Sequence, residues 1–424
     1  MCKLSDIQNF WVSASLFCLA VFSLQSCHSS SSVEPTPVQT ADHTLLIYIV
    51  GDNSLSSYAP TNISAASRGL LDAGKPMNVV IYKDNEEGHP VLFHLKVASD
   101  GLSVSRDTLF VWDEEVNSAL PDQVAWVVDF VFNRTFTSTV KGLEMWSHGD
   151  SWVPGNLSYQ LNSASGAGIK PLTYIGIDGT SYLETDDLAS ALASTGVHFD
   201  YMFFDACHMA TAEVAYELRN VTDYIAGSSN EIMGAGLPYN TFVPSLAECQ
   251  STSEVESALR ALVTDFENVY GENGTYKNNG GTFSVIRTSA MPSLLEGYKN
   301  LRLAHPEALQ ALQENAETLR FTIQRYGRRM GSTSDRTGLY HDMGALLRYI
   351  GGEDNAVLSL LREAVVSEFH SSFFKVGTSS DNMIEFTDVS GMAVTVPEFL
   401  GLYNNSSAFT TAYYGKCAWG MDLK

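Results

Sequence analysis

The sequence predicts an α/β fold: an open, largely parallel β-sheet with helices on both faces, followed by a C-terminal α+β extension. Short β-branched or aromatic runs, such as His43–Gly51 and Tyr201–Phe204, alternate with longer segments of helix formers, the pattern of βαβ units. These runs are apolar throughout, as expected of strands buried on both faces. After Pro292 the alternation gives way to long helical stretches and two short extended ones, which sets the last third of the chain apart.

Composition narrows the setting. The 424 residues, 45% of them apolar, can build one large domain with extensions or two average ones. A formal net charge of −23 argues against nucleic acid or an anionic membrane face as partner. Phe10–Leu24 is an unbroken run rich in apolar residues, too short to span a bilayer and suited to a signal h-region. Leu24-Gln25-Ser26-Cys27 resembles a bacterial lipobox, with Cys27 as the acylated residue. A Ser- and Pro-rich stretch follows and reads as a flexible tether. The expected organisation is a lipoprotein signal peptide over 1–27, a tether over 28–42, the main α/β domain over 43–290 and an extension over 291–424 packed on it. The expected address is the bacterial cell envelope, outer membrane or cell surface, with a lipid on Cys27 as the membrane contact. The thiols left after Cys27 are Cys207, Cys249 and Cys417, which form neither a disulfide framework nor a zinc set.

Taken in order, His43–Gly51 reads as a first buried strand ended by Gly51-Asp52-Asn53. Tyr58–Gly74 is helical, Met77–Tyr82 a second strand, and Val91–Val97 an edge or hairpin strand paired with Thr108–Trp112. Asp122–Arg134 is an apolar helix. Leu143–Ser147 is a strand followed by His148-Gly149 in a turn. Glu184–Ser194 carries acids in its first turn, as helix starts do. Tyr201–Phe204 is a strand and Ala210–Leu218 a helix, so Cys207 falls in the turn between them. Tyr224–Gly227 and Gly281–Thr288 are strands, and Glu254–Tyr270 an amphipathic helix. Beyond Pro292, helices are expected over Glu307–Arg325, Met343–Tyr349 and Glu353–Phe369, with extended segments at Phe373–Val376 and Met392–Val396.

Open α/β sheets place chemistry beyond the carboxyl ends of their strands. Cys207 sits there, and the helix after it would favour the thiolate. A buried Cys packing as a small hydrophobe is the competing reading. A thiol nucleophile needs a base or acid within reach and donors for the oxyanion. Among the histidines, His208 adjoins Cys207 and points to the opposite face. His198 lies nine residues upstream, at about 3.3 Å per residue the far edge of the sheet. His28 and His43 border the tether, and His305 precedes a proline outside the sheet pattern. His148 also follows a strand, and in a parallel sheet it shares the edge of Cys207.

The segments Trp146–Asp150 (WSHGD) and Phe203–Glu213 (FFDACHMATAE) resemble the clostripain-like cysteine peptidases, which have the caspase-like fold. Ile47–Ser56, Ile175–Leu192 and Ser228–Tyr239 match further segments of that family in order, so the likeness runs from about His43 to Thr288. It implies that Cys207 is the nucleophile and His148 its acid/base partner, with the Gly149 and Cys207 backbone N–H groups as the oxyanion hole. It implies that Asp205 lies in a pocket for Arg or Lys at P1. A carboxylate that merely ends the strand or caps the next helix is the alternative. It implies a protein or peptide substrate. Some relatives use calcium, for which Asp178, Glu184, Asp186 and Asp187 are candidate donors; no other metal is expected.

Departures from the family pattern are legible too. Asp150-Ser151-Trp152 replaces a Gly-rich turn after His148-Gly149. Leu237-Pro238 stands where Arg-specific relatives tend to carry a further acid, which leaves a strict basic preference open. Lys170 is the only Lys or Arg between His148 and Cys207, and Pro171 follows it, so activation by self-cleavage there is not expected. Two other functions compete with the peptidase. One is a non-catalytic surface lipoprotein that binds protein or glycan on the same scaffold, which would not need both His148 and Cys207. The other is a metal hydrolase using His148, His208, Asp150 and Asp205, which lack a helical ligand spacing.

Overall fold

The computed structural model describes residues 41–152, 174–327, 339–375, 383–402 and 414–424. The signal segment, the tether with Cys27, and the Lys170-Pro171 bond lie outside the described residues. Nine strands make the main sheet: β1 (His43–Gly51), β2 (Asn78–Asn85), β3 (Val91–Val97), β4 (Val104–Val111), β5 (Val140–Trp146), β6 (Tyr201–Asp205), β7 (Tyr224–Gly227), β8 (Thr282–Arg287) and β9 (Val365–His370). Their order is β9-β8-β7-β6-β5-β1-β2-β3-β4. The central strands β7, β6, β5, β1 and β2 run parallel. Antiparallel pairs close the two edges, β3 and β4 on one side and β8 and β9 on the other. Antiparallel edge strands on a parallel centre are common in large sheets.

The alternation of side chains along each strand builds two cores. Leu45, Ile47 and Ile49 of β1 pack with α1 (Ala59–Asp72) and with two later helices, Tyr239–Ala247 and Val255–Tyr270. Leu46, Tyr48 and Val50 face α2 (Pro121–Asp129) and α3 (Thr185–Ser194). We number the remaining helices near the site α4 (Ala212–Glu217), α5 (Tyr239–Ala247) and α6 (Val255–Tyr270). The buried positions of α6, Val255, Ala258, Leu259, Leu262, Val263 and Phe266, recur at helical spacing, so one stripe is dry and the other wet.

The C-terminal part departs from expectation in one place that matters. The helix expected to reach Phe369 stops at Ala364, and Val365–His370 becomes the edge strand β9. No Gly or Pro separates the two; the β-branched pair Val365-Val366 and the free edge of β8 decide the change. The long helix expected over Glu307–Arg325 is two, Pro306–Glu314 and Ala316–Thr322, broken at Asn315 where φ/ψ are −109°/19°. Short strands Tyr340–Asp342 and Ala393–Thr395 pair antiparallel. Through Ala393 they reach the main body, where Ala393 N–H donates to Ala210 O at 2.9 Å.

Candidate active site

The sheet changes direction of travel between β1 and β5: later strands add beyond β5 on one side, and β2 to β4 lie on the other. Such a switch point leaves a crevice at the carboxyl ends of the two strands. Three turns meet there, after β1, β5 and β6. In the parallel pairing of β5 and β6, Trp146 is opposite Asp205. His148 is two residues past the first and Cys207 two past the second, so the two side chains come to the same level of adjacent turns. Both line one cavity of ≈ 130 Å³, together with Leu55, Ser147, Asp205 and Ile232.

Each side chain is held by a local device. Asn53, at the end of β1, donates to Val50 O and Ile177 O at 2.9 Å each and accepts from Leu55 N–H. That ties the turn in which Ser54 sits, and Ser54 Oγ lies 2.9 Å from His148 Nε2. Ser147 Oγ donates to Val50 O and accepts from Ile177 N–H, fixing the start of the His turn. Gly149 is required by packing: a Cβ there would lie 2.8 Å from Cys207 O and 2.9 Å from the Ala206 Cβ. The His turn and the Cys turn therefore touch at Gly149.

Cys207 is half-buried, and its Sγ accepts from Ile232 N–H at 3.4 Å. The helix expected from Ala210 begins later, at Ala212, with Thr211 as its N-cap accepting from Val214 N–H. α4 is six residues long and starts five positions beyond Cys207, and the backbone N–H that meets the sulfur is that of Ile232 in the Gly-rich loop. His208 has φ of 58°, the left-handed turn that carries its ring away from Cys207. It stacks on Tyr340 with centroids 5.1 Å apart, and its Nδ1 lies 3.2 Å from Ser229 O. His198 sits at the opposite sheet edge, 2.9 Å from Asp223. The hydrolase ligand set is therefore not assembled, because His208 is turned out of the cavity that His148 and Asp205 line.

Asp205 is buried beneath the cavity. Its Oδ2 accepts from Leu237 N–H at 3.0 Å and from Tyr239 O–H at 2.8 Å. It thus both lines the cavity and ties down the loop that carries Leu237-Pro238. It does not cap α4, where Thr211 has that place. Behind it stands Glu144 of β5, fully buried and in hydrogen-bond contact with the same Tyr239 hydroxyl. Burial raises Asp205 to about 6 against the pull of its two donors. Burial, and then the charge on Asp205, push Glu144 well above the usual carboxylate range. Burial lowers His148 to about 4, so its imidazole is neutral near pH 7 rather than a standing cation.

A second acidic group lies along the same sheet edge. Asp84, Glu115 and Asp178 bring carboxylate oxygens within 4.8 Å of one another. Asp84 is fully buried at the end of β2, and neither of its oxygens meets a donor. Burial is the main cause that raises it to about 8. Of the four acids singled out for calcium in the sequence, Asp178 alone belongs to this group. Asp186 and Asp187 lie in the first turn of α3, and Glu184 is its N-cap residue.

Sequence reasoning brought together His148, Gly149, Asp205 and Cys207 but missed Ser54, Ile232, Glu144 and Tyr239 as their partners. Glu144 carried a signal, a lone charge inside an apolar strand. Ser54 and Ile232 lie in loops, and Tyr239 at the first position of α5, at places whose meeting only the fold defines.

A model of the clostripain family matches residues 47–370. Among solved structures, an inactive zymogen of a C11 protease from Parabacteroides distasonis is 25% identical, with a TM-score of 0.70, over 92% of this chain and 99% of that one. A secreted C11 cysteine protease from Bacteroides thetaiotaomicron, solved with an irreversible peptide inhibitor, is 26% identical, with a TM-score of 0.69, over 91% and 99%. A further structure from that organism, of the secreted C11 cysteine protease iotapain, shares the fold at 20% identity and a TM-score of 0.72, over 91% and 100%. No curated protein matches the chain. With its caspase-like sheet and a family match over most of its length, the chain belongs to the clostripain family and is a cysteine protease.

Proposed function

We propose that the protein is an envelope-anchored endopeptidase that cuts after Lys or Arg with a Cys207–His148 dyad. The observation that carries this reading is the register of β5 and β6, which sets the two residues side by side over a cavity with Asp205 in its floor. Neutral His148 takes the Cys207 proton as sulfur attacks the scissile carbonyl carbon. The carbonyl oxygen, now negative, is met by the N–H groups of Gly149 and Cys207. As the C–N bond breaks, His148 passes the proton to the leaving amine. Water then attacks the thioester, His148 takes its proton, and Cys207 departs with a proton returned to it. Asp205 supplies the charge that pairs a P1 cation.

The test is labelling with a biotinylated acyloxymethyl ketone bearing P1 Lys. Wild type should be labelled, and Cys207→Ala should not. Labelling confined to probes with an apolar P1 would overturn the basic preference. For the anchor, Cys27 in its lipobox and the tether after it support acylation. Metabolic palmitate should mark the wild type, and Cys27→Ser should release it from membranes; unmarked, freely soluble wild type refutes the anchor. Among the described residues no helix is long and apolar enough to cross a membrane.

Calcium, if used, fits Asp84, Glu115 and Asp178: hard oxygen donors, one of them buried with both oxygens unmet. Bound there it would tie the ends of β2 and the segment before α3, a stabilising role apart from the cavity. A site that must lose the Asp84 proton binds metal better as pH rises toward 8. Chelation should lower the melting temperature more at pH 8 than at pH 6, and Asp84→Asn should remove that difference.

A further inference from the structure

The Tyr239 hydroxyl has one hydrogen and two carboxyl neighbours. Its oxygen is 2.8 Å from Asp205 Oδ2 and in hydrogen-bond contact with Glu144 Oε1. Two ionised carboxylates both accept, so a single hydroxyl hydrogen cannot serve them together. One of the two contacts needs a proton supplied by a carboxyl group. The surroundings decide which. Glu144 is fully buried, and its Oε2 has no partner. Asp205 takes a second donor, Leu237 N–H, and borders the cavity. Charge is cheaper where donors and solvent stand.

We propose that Glu144 is a neutral carboxylic acid that donates to Tyr239, which in turn donates to Asp205, so that of these two carboxyl groups Asp205 alone carries the negative charge. Glu144 is thus a positioning residue for specificity, acting through Tyr239. This rests on the reading of Asp205 as the partner of a basic P1 side chain. The groups facing Asp205 are Glu144 from β5, Tyr239 from α5 and Tyr270 from α6, whose hydroxyl donates to Gly236 O at 2.7 Å. Around the cavity stand His148, Cys207 and Glu231. None of these is a standing cation, so the donors of Leu237 and Tyr239 are what keep Asp205 ionised near neutrality. Glu231, the acid of the Gly-rich loop, also lines the cavity, and Glu144 adds no further charge beneath it.

Two measurements test this. The first is kcat/KM for matched P1-Lys and P1-norleucine peptides between pH 5 and 9. Tyr239→Phe cuts the relay, so the acid limb of the Lys-to-norleucine ratio should move up by about one pH unit. At pH 6 that is about a fivefold loss of preference. Glu144→Gln keeps a donor for Tyr239 and should lower the ratio far less than Asp205→Asn does. A loss in Glu144→Gln as large as in Asp205→Asn would make Glu144 a second anion and overturn the proposal. So would an unmoved limb in folded Tyr239→Phe. The second measurement is infrared difference spectroscopy, wild type minus Glu144→Gln, at pH 7. The carbonyl band of a protonated carboxylic acid is expected in the wild type, and its absence overturns the proposal even if Tyr239→Phe fails to fold. Should the wild type show no basic preference at all, the pocket reading falls, while the infrared band still decides where the proton resides.

Discussion

The two edges of the parallel sheet carry comparable side chains in opposite states. At the amino edge of β1, His43 is fully buried and satisfied: its Nδ1 lies 3.0 Å from both Leu246 O and Cys249 O, and its Nε2 2.7 Å from Tyr201 Oη. Asp200 accepts from Lys141 N–H, and His198 pairs with Asp223. At the carboxyl edge, His148 meets one serine hydroxyl, Asp84 meets no donor, and two carboxyl groups divide one tyrosine hydrogen. The difference teaches where the fold keeps bonding capacity in reserve. Polar groups at the amino edge hold strands together, and several of those at the carboxyl edge keep acceptor capacity unused.

The largest contrast should come from removing one group at each edge. Cys207→Ala and His148→Ala should each abolish peptide hydrolysis, and the double variant should be no worse than either, as expected of residues that act as a unit. His198→Ala should hold activity within about twofold. Activity surviving in His148→Ala but lost in His198→Ala would reverse the comparison. Next in size, Asp205→Asn should cut kcat/KM for basic-P1 peptides by roughly 100-fold, through a desolvated ion pair worth a few kcal/mol. An equal loss on neutral-P1 peptides would show instead that Asp205 only holds the loop.

At the amino edge the effect should appear in stability. His43→Leu strands the Tyr201 hydroxyl and takes one of the donors from the Leu246 and Cys249 carbonyls, a cost of about 1–3 kcal/mol by denaturant unfolding, with kcat/KM per folded molecule preserved. The pH dependence separates the edges again. Burial holds His43 at about 4 against 6.5 unfolded, so its contribution is present above 6.5 and is lost as pH falls toward 4. Burial holds Asp205 at about 6 and Asp84 at about 8 against 3.8 unfolded, so theirs is present below 3.8 and is lost as pH rises through 6 and 8. Without calcium, Asp84→Asn should flatten the alkaline side of the melting curve and His43→Leu the acid side. The smallest effect is chemical selectivity. Burial pushes Cys249 up to about 11 and Cys417 well above its ordinary value, so iodoacetamide should reach Cys207 first near neutral pH. Prior modification of Cys249 would contradict this.

What the sequence revealed follows from how far each signal travels along the chain. Runs such as Leu45–Val50 disclose a doubly buried strand, and the same-edge placement of His148 and Cys207 follows once both are seen to leave parallel strands. Asp205 was found because it lies two residues from Cys207. Ser54 and Ile232 contribute from 94 and 25 residues away from the side chains they touch, through turns without periodicity. β9 escaped because Val365-Val366 follow helix-forming residues with no breaker, and its state depends on β8, whose edge it pairs. Pairing across that distance leaves no mark in a local pattern.

The strand Ala393–Thr395 does more than finish the C-terminal part. Ala393 N–H donates to Ala210 O, Thr395 N–H to Glu213, and the Trp152 indole N–H to Thr395 Oγ1 at 2.8 Å. The turns on either side of the cavity are therefore stitched to residues made about 180 positions after Cys207. A nascent chain carries Cys207 and His148 long before it carries those stitches. During translation Cys207 and His148 exist without their full bracing, so order of manufacture itself delays a fully braced cavity until Ala393–Thr395 has been made.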